Sequence, residues 1–241
     1  MASVNFHIIT LFPEAIQPYL EASIVGRAVR NKIITISLYQ LRDFIIQRGQ
    51  TRTRRGLTQT KDYLKADDRP YGGGPGMVLQ AKPILNAVEK IQKKIGKKPK
   101  RKIKVILFGA SGKQFTNTYA MNIGKRYTDI ILIAGRYEGV DARVKKILHA
   151  EEVSIGPYVL TGGELPTAVM IDAVTRHIPG VLGKDESIEE RRIASPEVYT
   201  RPEVLRYKGE NYHVPKVLLS GNHQKIEEWK RKKRSKNSAN N

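Results

Sequence analysis

The chain contains no cysteine, and that absence excludes a disulfide framework, a Cys-ligated zinc and a thiol nucleophile. No apolar run is long enough to span a bilayer. Residues 1–12 lack the basic start, the long apolar centre and the small-residue cleavage site of a secretory signal. Nowhere do histidines and carboxylates recur at metal-ligand spacing; His223, alone beside a turn, reads as a capping or surface group. Acidic residues are also scarce: 23 stand against 43 lysines and arginines, a formal net charge of +20. The expectation is a soluble, cytoplasmic protein with a polyanionic partner.

The excess cations are not spread evenly. They crowd into residues 42–65, 93–104 and 225–236, patches that supply salt-dependent affinity for phosphates but little sequence information. The alternative is a solvated surface. Residues 42–68 have few apolar positions and include Arg48, Arg52, Arg54 and Arg55, so they read as a long loop of the kind that is functional or disordered.

Residues 6–11 read as a first strand. Pro13 and Glu14 then open a helix carrying Ile16, Leu20, Ile24 and Val25 at helical spacing, and residues 33–39 alternate as a second strand. Strand, helix and strand imply a parallel sheet. The run Gly72-Gly73-Gly74-Pro75-Gly76 is a backbone device, either a tight turn or a direct contact to a ligand. Residues 81–95 form a helix with Ile84, Leu85, Val88 and Ile91 on one face, and residues 105–108 a third strand. The Gly109-Ala110-Ser111-Gly112-Lys113 that follows has two residues between its glycines and Gln114 after its lysine. A phosphate loop needs four, then Ser or Thr, so ATP or GTP binding is excluded.

The densest information lies in residues 130–183. A buried strand, 130–134, ends at Gly135-Arg136-Tyr137-Glu138-Gly139, and loops after parallel strands are where open α/β sheets bind ligands. Glycines would let main-chain groups approach a ligand while Glu138 supplies an acceptor. A turn with a surface ion pair is the competing reading of that pentapeptide. A second loop, residues 154–164, repeats the device and leads into a mostly apolar helix, 165–177, with Pro166 in its first turn. Two glycine loops and a helix could cradle one small molecule.

GRYEGVDARV, SIGPYVLTGGELP and RHIPGVLG, together with HIITLFPE, YGGGPGM, YTRPEV and VPKVLLSGNH, resemble the bacterial tRNA (guanine-N1)-methyltransferases, which methylate guanine 37, 3′ to the anticodon. The resemblance covers nearly the whole chain. It implies an α/β SPOUT-type parallel sheet with a deep C-terminal trefoil knot, plus a small, truncated C-terminal helical unit. It also implies three segments: a knotted domain over 1–183, a linker over 184–198, and a shortened C-terminal domain over 199–241 whose last residues, 233–241, look unordered. S-adenosylmethionine is the implied cofactor, bordered by Leu107, Gly109, Ser111, Gly135, Tyr137, Glu138, Ile155, Gly156, Tyr158, Leu160, Gly162 and Gly163, and Mg2+ is admitted as a second. tRNA is the implied partner, with Arg52, Arg54 and Arg55 on its phosphates, and two copies of the chain pair as a homodimer so that each site draws on both.

Methylating N1 of guanine requires a base for the N1 proton and a cation for the charge that builds on O6. Arg176, in VTRHIPG, matches the family's guanine-polarising arginine; a cation at the negative end of a helix is its plainer reading. The base is where the sequence departs. Relatives carry Glu-Asp-Ser-Phe in the linker, whereas this chain reads Glu189-Glu190-Arg191-Arg192-Ile193, with Arg191 on the aspartate position. Either Glu190, or less simply Glu189, has taken the role, or the chain is a weakened or inactive tRNA-binding protein of the same fold. Pro157 and Ala142 also replace residues that are usually acidic in relatives.

Overall fold

Alternation along three apolar strands builds the sheet. In β1 (Val4–Thr10), Phe6 and Ile8 turn to one face and Ile9 to the other; β5 (Ile103–Gln114) sets Ile106 and Phe108 against Val105 and Leu107; β6 (Asp129–Ile133) sets Ile130 and Leu132 against Ile131 and Ile133. Strands apolar on both faces suit a parallel sheet covered on both sides. The order is β2-β1-β6-β5-β7, every pair parallel, with β2 (Ile34–Gln40) and β7 (Glu151–Ser154) at the edges.

One face carries α1 (Gln17–Glu21), α2 (Ser23–Arg30), α4 (Asn117–Arg126) and α6 (Glu164–Thr175). The other carries α3 (Ala81–Ile95) and α5 (Ala142–Leu148). Phe6, Ile8 and Ile130 are completely buried, and each contributes roughly 1.5–3 kcal/mol relative to exposure. A short ribbon of β3 (Asp67–Asp68) and β4 (Val78–Leu79) closes the glycine run, where Gly72, Gly73, Gly74 and Gly76 all have positive φ. Nothing lies near a Cβ built at the first three of these, so glycine is required there by the backbone alone.

The structure, a computed structural model, describes residues 3–45, 65–96, 101–182 and 197–238, and falls into two units, Met1–Val181 and Leu182–Asn241. The second holds a hairpin of β8 (Val204–Tyr207) and β9 (Glu210–His213), then α7 (Lys216–Leu219) and α8 (His223–Ser238).

Several elements differ from what the sequence suggests. The helix opened by Pro13 is three pieces: a 3-10 turn at Pro13–Ala15, then α1 and α2, separated at Ala22. The corner is so tight that a Cβ on Gly26 would stand 1.9 Å from the Glu21 carbonyl oxygen, and Ile24, expected on the apolar face, is exposed. The third strand runs to Gln114 because residues 109–112 loop out and the pairing resumes: Phe108 and Lys113 both oppose Val153. Helices α4 and α5 and strand β7 were not anticipated, since their short amphipathic patterns are broken by polar residues. At the other end α8 continues to Ser238 where an unordered tail was expected, as lysine and arginine are good helix formers. Its cap is Asn222, whose side-chain oxygen accepts from the Lys225 N–H at 3.1 Å, and His223, read as a capping or surface group, is exposed at the surface.

Candidate functional site

Strands β5, β6 and β7 end at the same edge of the sheet, and the loops that leave them enclose a cleft of about 290 Å³. From β5 come Phe108, Gly109 and Ala110; from β6, residues 135–139; from β7, Val153, Ser154, Ile155 and then Tyr158 to Gly163; Pro166 of α6 closes it. The volume sits near the lower end of small-ligand sites, about 300–1,000 Å³.

The loops hold one another. The Gly163 N–H donates to the Gly135 carbonyl at 2.7 Å, and Arg136 and Gly162 form an isolated antiparallel bridge. A Cβ on Gly163 would lie 2.7 Å from the Ala134 Cα and the Gly135 nitrogen, one on Gly162 2.5 Å from the Arg136 side chain, and one on Gly156 2.2 Å from the Tyr158 ring. Gly162 and Gly163 therefore serve loop-to-loop packing, and Gly156 the packing of Tyr158 within its own loop, where the sequence suggested close approach to a ligand. Gly135, by contrast, has ordinary room, with Val140 at 3.4 Å and the Phe108 carbonyl at 3.9 Å. In the same loop Tyr137 adopts a left-handed φ of 59°, a conformation that costs about 1–2 kcal/mol for a non-glycine residue. Burial, then the neighbouring Asp67 carboxylate, raises its phenol above the ordinary value.

A buried acid anchors the centre. Glu164, at the first position of α6 and 3% exposed, accepts from the Thr10 hydroxyl at 2.7 Å and pairs with the Arg136 Nε at 2.8 Å. The Arg136 contact is ionic rather than a hydrogen bond, because the N–H finds no aligned acceptor. The guanidinium also stands 4.7 Å from the centre of the Phe12 ring. Glu164 thereby fixes Arg136 at the cleft wall. Neither role was read from the sequence, although both residues stand in the quoted motifs; pairing across 28 positions is not a local signal.

Of the expected cofactor-binding residues, Gly109, Gly135, Tyr137, Glu138, Ile155, Tyr158, Leu160, Gly162 and Gly163 line the cleft. Leu107 does not: it packs in the core beneath α3 and α5. Ser111 donates to Glu152 at 3.1 Å, and Gly156 supports the wall through bonds with Ser154. Arg176 is the C-cap of α6, ten positions from Pro166, or about 15 Å along the axis, and does not line the cleft. Glu189, Glu190, Arg52, Arg54 and Arg55 lie outside the described residues. Among the described residues no three His, Asp or Glu side chains gather to hold a metal ion, and no helix is long and apolar enough to cross a membrane.

The cleft fits an amphipathic ligand. Phe108, Val153, Ile155, Leu160 and Pro166 give it apolar walls; Arg136 and Glu138 put charges of both signs beside them. That combination suits a small ligand with both apolar and charged parts.

The family description "tRNA (Guanine-1)-methyltransferase TrmD" matches residues 4–241. The chain is 40% identical over 232 residues to the tRNA (guanine-N(1)-)-methyltransferase of Clostridioides difficile (strain 630), covering 95% of this chain and 91% of the relative. It is 42% identical over 230 residues to the protein of that name from Alkaliphilus oremlandii, covering 93% and 84%. The corresponding figures for Thermomicrobium roseum are 40% over 232 residues, 95% and 78%. With a match from the first strand to the last residue, over a cleft walled by the same motifs, the chain belongs to the tRNA (guanine-1)-methyltransferase family.

Proposed function

We propose that this protein transfers a methyl group from S-adenosylmethionine to N1 of guanine 37 in tRNA. The observation that carries the reading is the cleft at the ends of β5, β6 and β7: its loops are intact, it has the mixed apolar and charged lining the cofactor needs, and it belongs to a chain whose relatives bear that activity in their names. An intact cleft favours an enzyme over a protein that only grips RNA.

When bound, the cofactor supplies an electrophilic methyl group on a sulfonium. Phe108 and Leu160 would give it apolar walls, Glu138 would offer an acceptor to a positive group, and Arg136, locked by Glu164, would offer a donor to a carboxylate. Glu190 takes the proton from N1, with Glu189 as the less direct choice, and general-base help of this kind is worth roughly a hundred- to ten-thousand-fold. Arg176 stabilises the charge on O6, an effect of roughly a hundred- to thousand-fold.

Arg176 stands at the far end of α6 from the cleft of its own chain, which supports a homodimer in which each site is completed by a second copy, its linker (184–198) and its C-terminal unit. The contact between Glu164 and the end of β1, with the Gly163 bond to the β6 loop, is compatible with a trefoil knot threading α6 past these loops. Arg52, Arg54 and Arg55 hold tRNA phosphates, the cytoplasm is the working compartment, and Mg2+ is an assayable second cofactor. The deciding experiment is incubation with methyl-labelled S-adenosylmethionine and total tRNA, followed by mapping of the labelled base. Label on N1 of guanine 37 is expected; an unlabelled tRNA pool would refute the reading.

A further inference from the structure

A second cleft, of about 300 Å³, lies between α4 and the β5–β7 edge and shares no lining residue with the first. Its α4 wall presents Tyr119, Asn122, Ile123, Arg126 and Tyr127, one face of a helix at spacings of three and four. Opposite stand Lys104 and Lys113 of β5 and Glu151 of β7.

Three features distinguish it from an ordinary solvated groove. It holds three cations against one carboxylate, and that carboxylate, Glu151, is already paired with Lys104 at 2.6 Å. Its lysines are held in place: the Lys113 ammonium stands 5.6 Å from the centre of the Tyr119 ring and that of Lys104 5.8 Å from the Tyr127 ring. Lysine over an aromatic face is an attractive arrangement, so cations that would otherwise sample many rotamers are gathered at the cleft. Finally, the Tyr119 hydroxyl is buried beside the Glu151 carboxylate but makes no aligned hydrogen bond to it. A buried unsatisfied donor is costly, and an acceptor entering the cleft would relieve it. Excess positive charge, fixed cations and a buried donor without an aligned acceptor together call for a small, multiply accepting anion.

We propose that this cleft is a phosphate subsite that grips the tRNA backbone away from the methyl-transfer site, with Lys113 and Arg126 on the phosphodiester oxygens and the Tyr119 hydroxyl donating to one of them. The identity of the RNA, though not the phosphate chemistry, rests on the function proposed above. Free nucleotides offer the same phosphate, so the test separates the two sources.

The test uses the full chain and the double variant Lys113→Ala with Arg126→Ala, measuring tRNA binding across a salt series, 5′-AMP binding, S-adenosylmethionine binding and thermal melting. A second double variant, Lys82→Ala with Lys90→Ala, removes the same charge from α3 on the opposite face of the sheet. The expected result is tRNA affinity weakened about tenfold and a salt slope shallower by about 1–2, since each phosphate contact contributes up to about 0.9. Cofactor affinity and melting temperature should stay at wild-type values, and the α3 variant should bind tRNA nearly normally. Tyr119→Phe should also weaken tRNA binding without lowering the melting temperature. Unchanged tRNA affinity and slope would overturn the proposal, as would an equal loss in the α3 variant. Loss of 5′-AMP binding with tRNA binding intact would overturn it in favour of a free-nucleotide site. These are binding measurements, so a wild-type protein that binds tRNA here but methylates nothing would refute the proposed activity and leave this subsite standing.

Discussion

Gly163→Ala and Gly135→Ala should behave as opposites, although both positions lie in glycine loops that read alike in sequence. A methyl group on Gly163 would meet the Ala134 Cα and the Gly135 nitrogen at 2.7 Å and the Ala134 carbonyl carbon at 3.0 Å. Comfortable carbon contacts are about 3.5–4.0 Å, and the atoms in the way are backbone at a strand end. The loops must separate by close to an ångström, which overpacking data put at about 1–3 kcal/mol. Straining the Gly163-to-Gly135 bond adds about 0.5–1.5 kcal/mol. A loss of about 2–4 kcal/mol in a unit of this size lowers the melting temperature by about 5–15 °C and opens the cleft. At Gly135 the same methyl group meets only Val140 at 3.4 Å and the Phe108 carbonyl at 3.9 Å, and the backbone is outside the left-handed region. Its melting temperature should stay within about 2 °C of wild type, so a weaker affinity for S-adenosylmethionine would report the ligand contact itself. Thermal unfolding followed by circular dichroism, with calorimetric titration of the cofactor, measures both. Wild-type melting of Gly163→Ala, or equal destabilisation by the two substitutions, would refute the assignment of Gly163 to loop packing.

If Glu190 is the base, Glu190→Gln should lower turnover by roughly a hundred-fold or more with both ligands still bound, while Glu189→Gln is nearly silent; single-turnover rates at saturating tRNA measure this, and wild-type rates in both variants would remove the linker glutamates from the reaction. Stability should decline with acid in two stages. Burial, opposed by the Asp129 bond, lowers the His7 pKa below its usual 6.5, so the unfolded chain binds that proton more readily and stability falls as pH drops below about 6.5. Burial would raise the Asp129 pKa, but bonds from Thr128, His7 and Arg101 outweigh it and hold the carboxyl below 3.8, so its contribution is complete above about 4 and is lost beneath that. His7→Gln should flatten the first stage of melting temperature against pH; an identical profile in the variant would exclude His7 as its source.

Much of the protein was legible in its sequence because the relevant signals are local. The apolar alternation of residues 130–133 and 105–108, the helical spacing of α3, and the excess of cations over acids each follow from neighbours a few positions apart. The motifs also identified the two loops that bound the cleft, and the family with them. Other features depend on residues meeting across long separations, which no local pattern records. Gly26 is glycine because α2 turns back on the Glu21 carbonyl, and Gly162 and Gly163 because a loop from β7 rests on the loop after β6. Glu164 lies 28 positions from Arg136 and 154 from Thr10, yet the three converge on the end of β1. Leu107 and Phe108 are adjacent and equally apolar, but strand alternation sends one into the core beneath α3 and α5 and the other to the opposite face, where it also walls the cleft. The second basic cleft likewise exists only because α4 sets Tyr119 and Arg126 opposite Lys104, Lys113 and Glu151. Sequence specified the residue types and their local conformations; tertiary packing decided which glycines serve loop contacts, which charges are locked, and which face the open cleft.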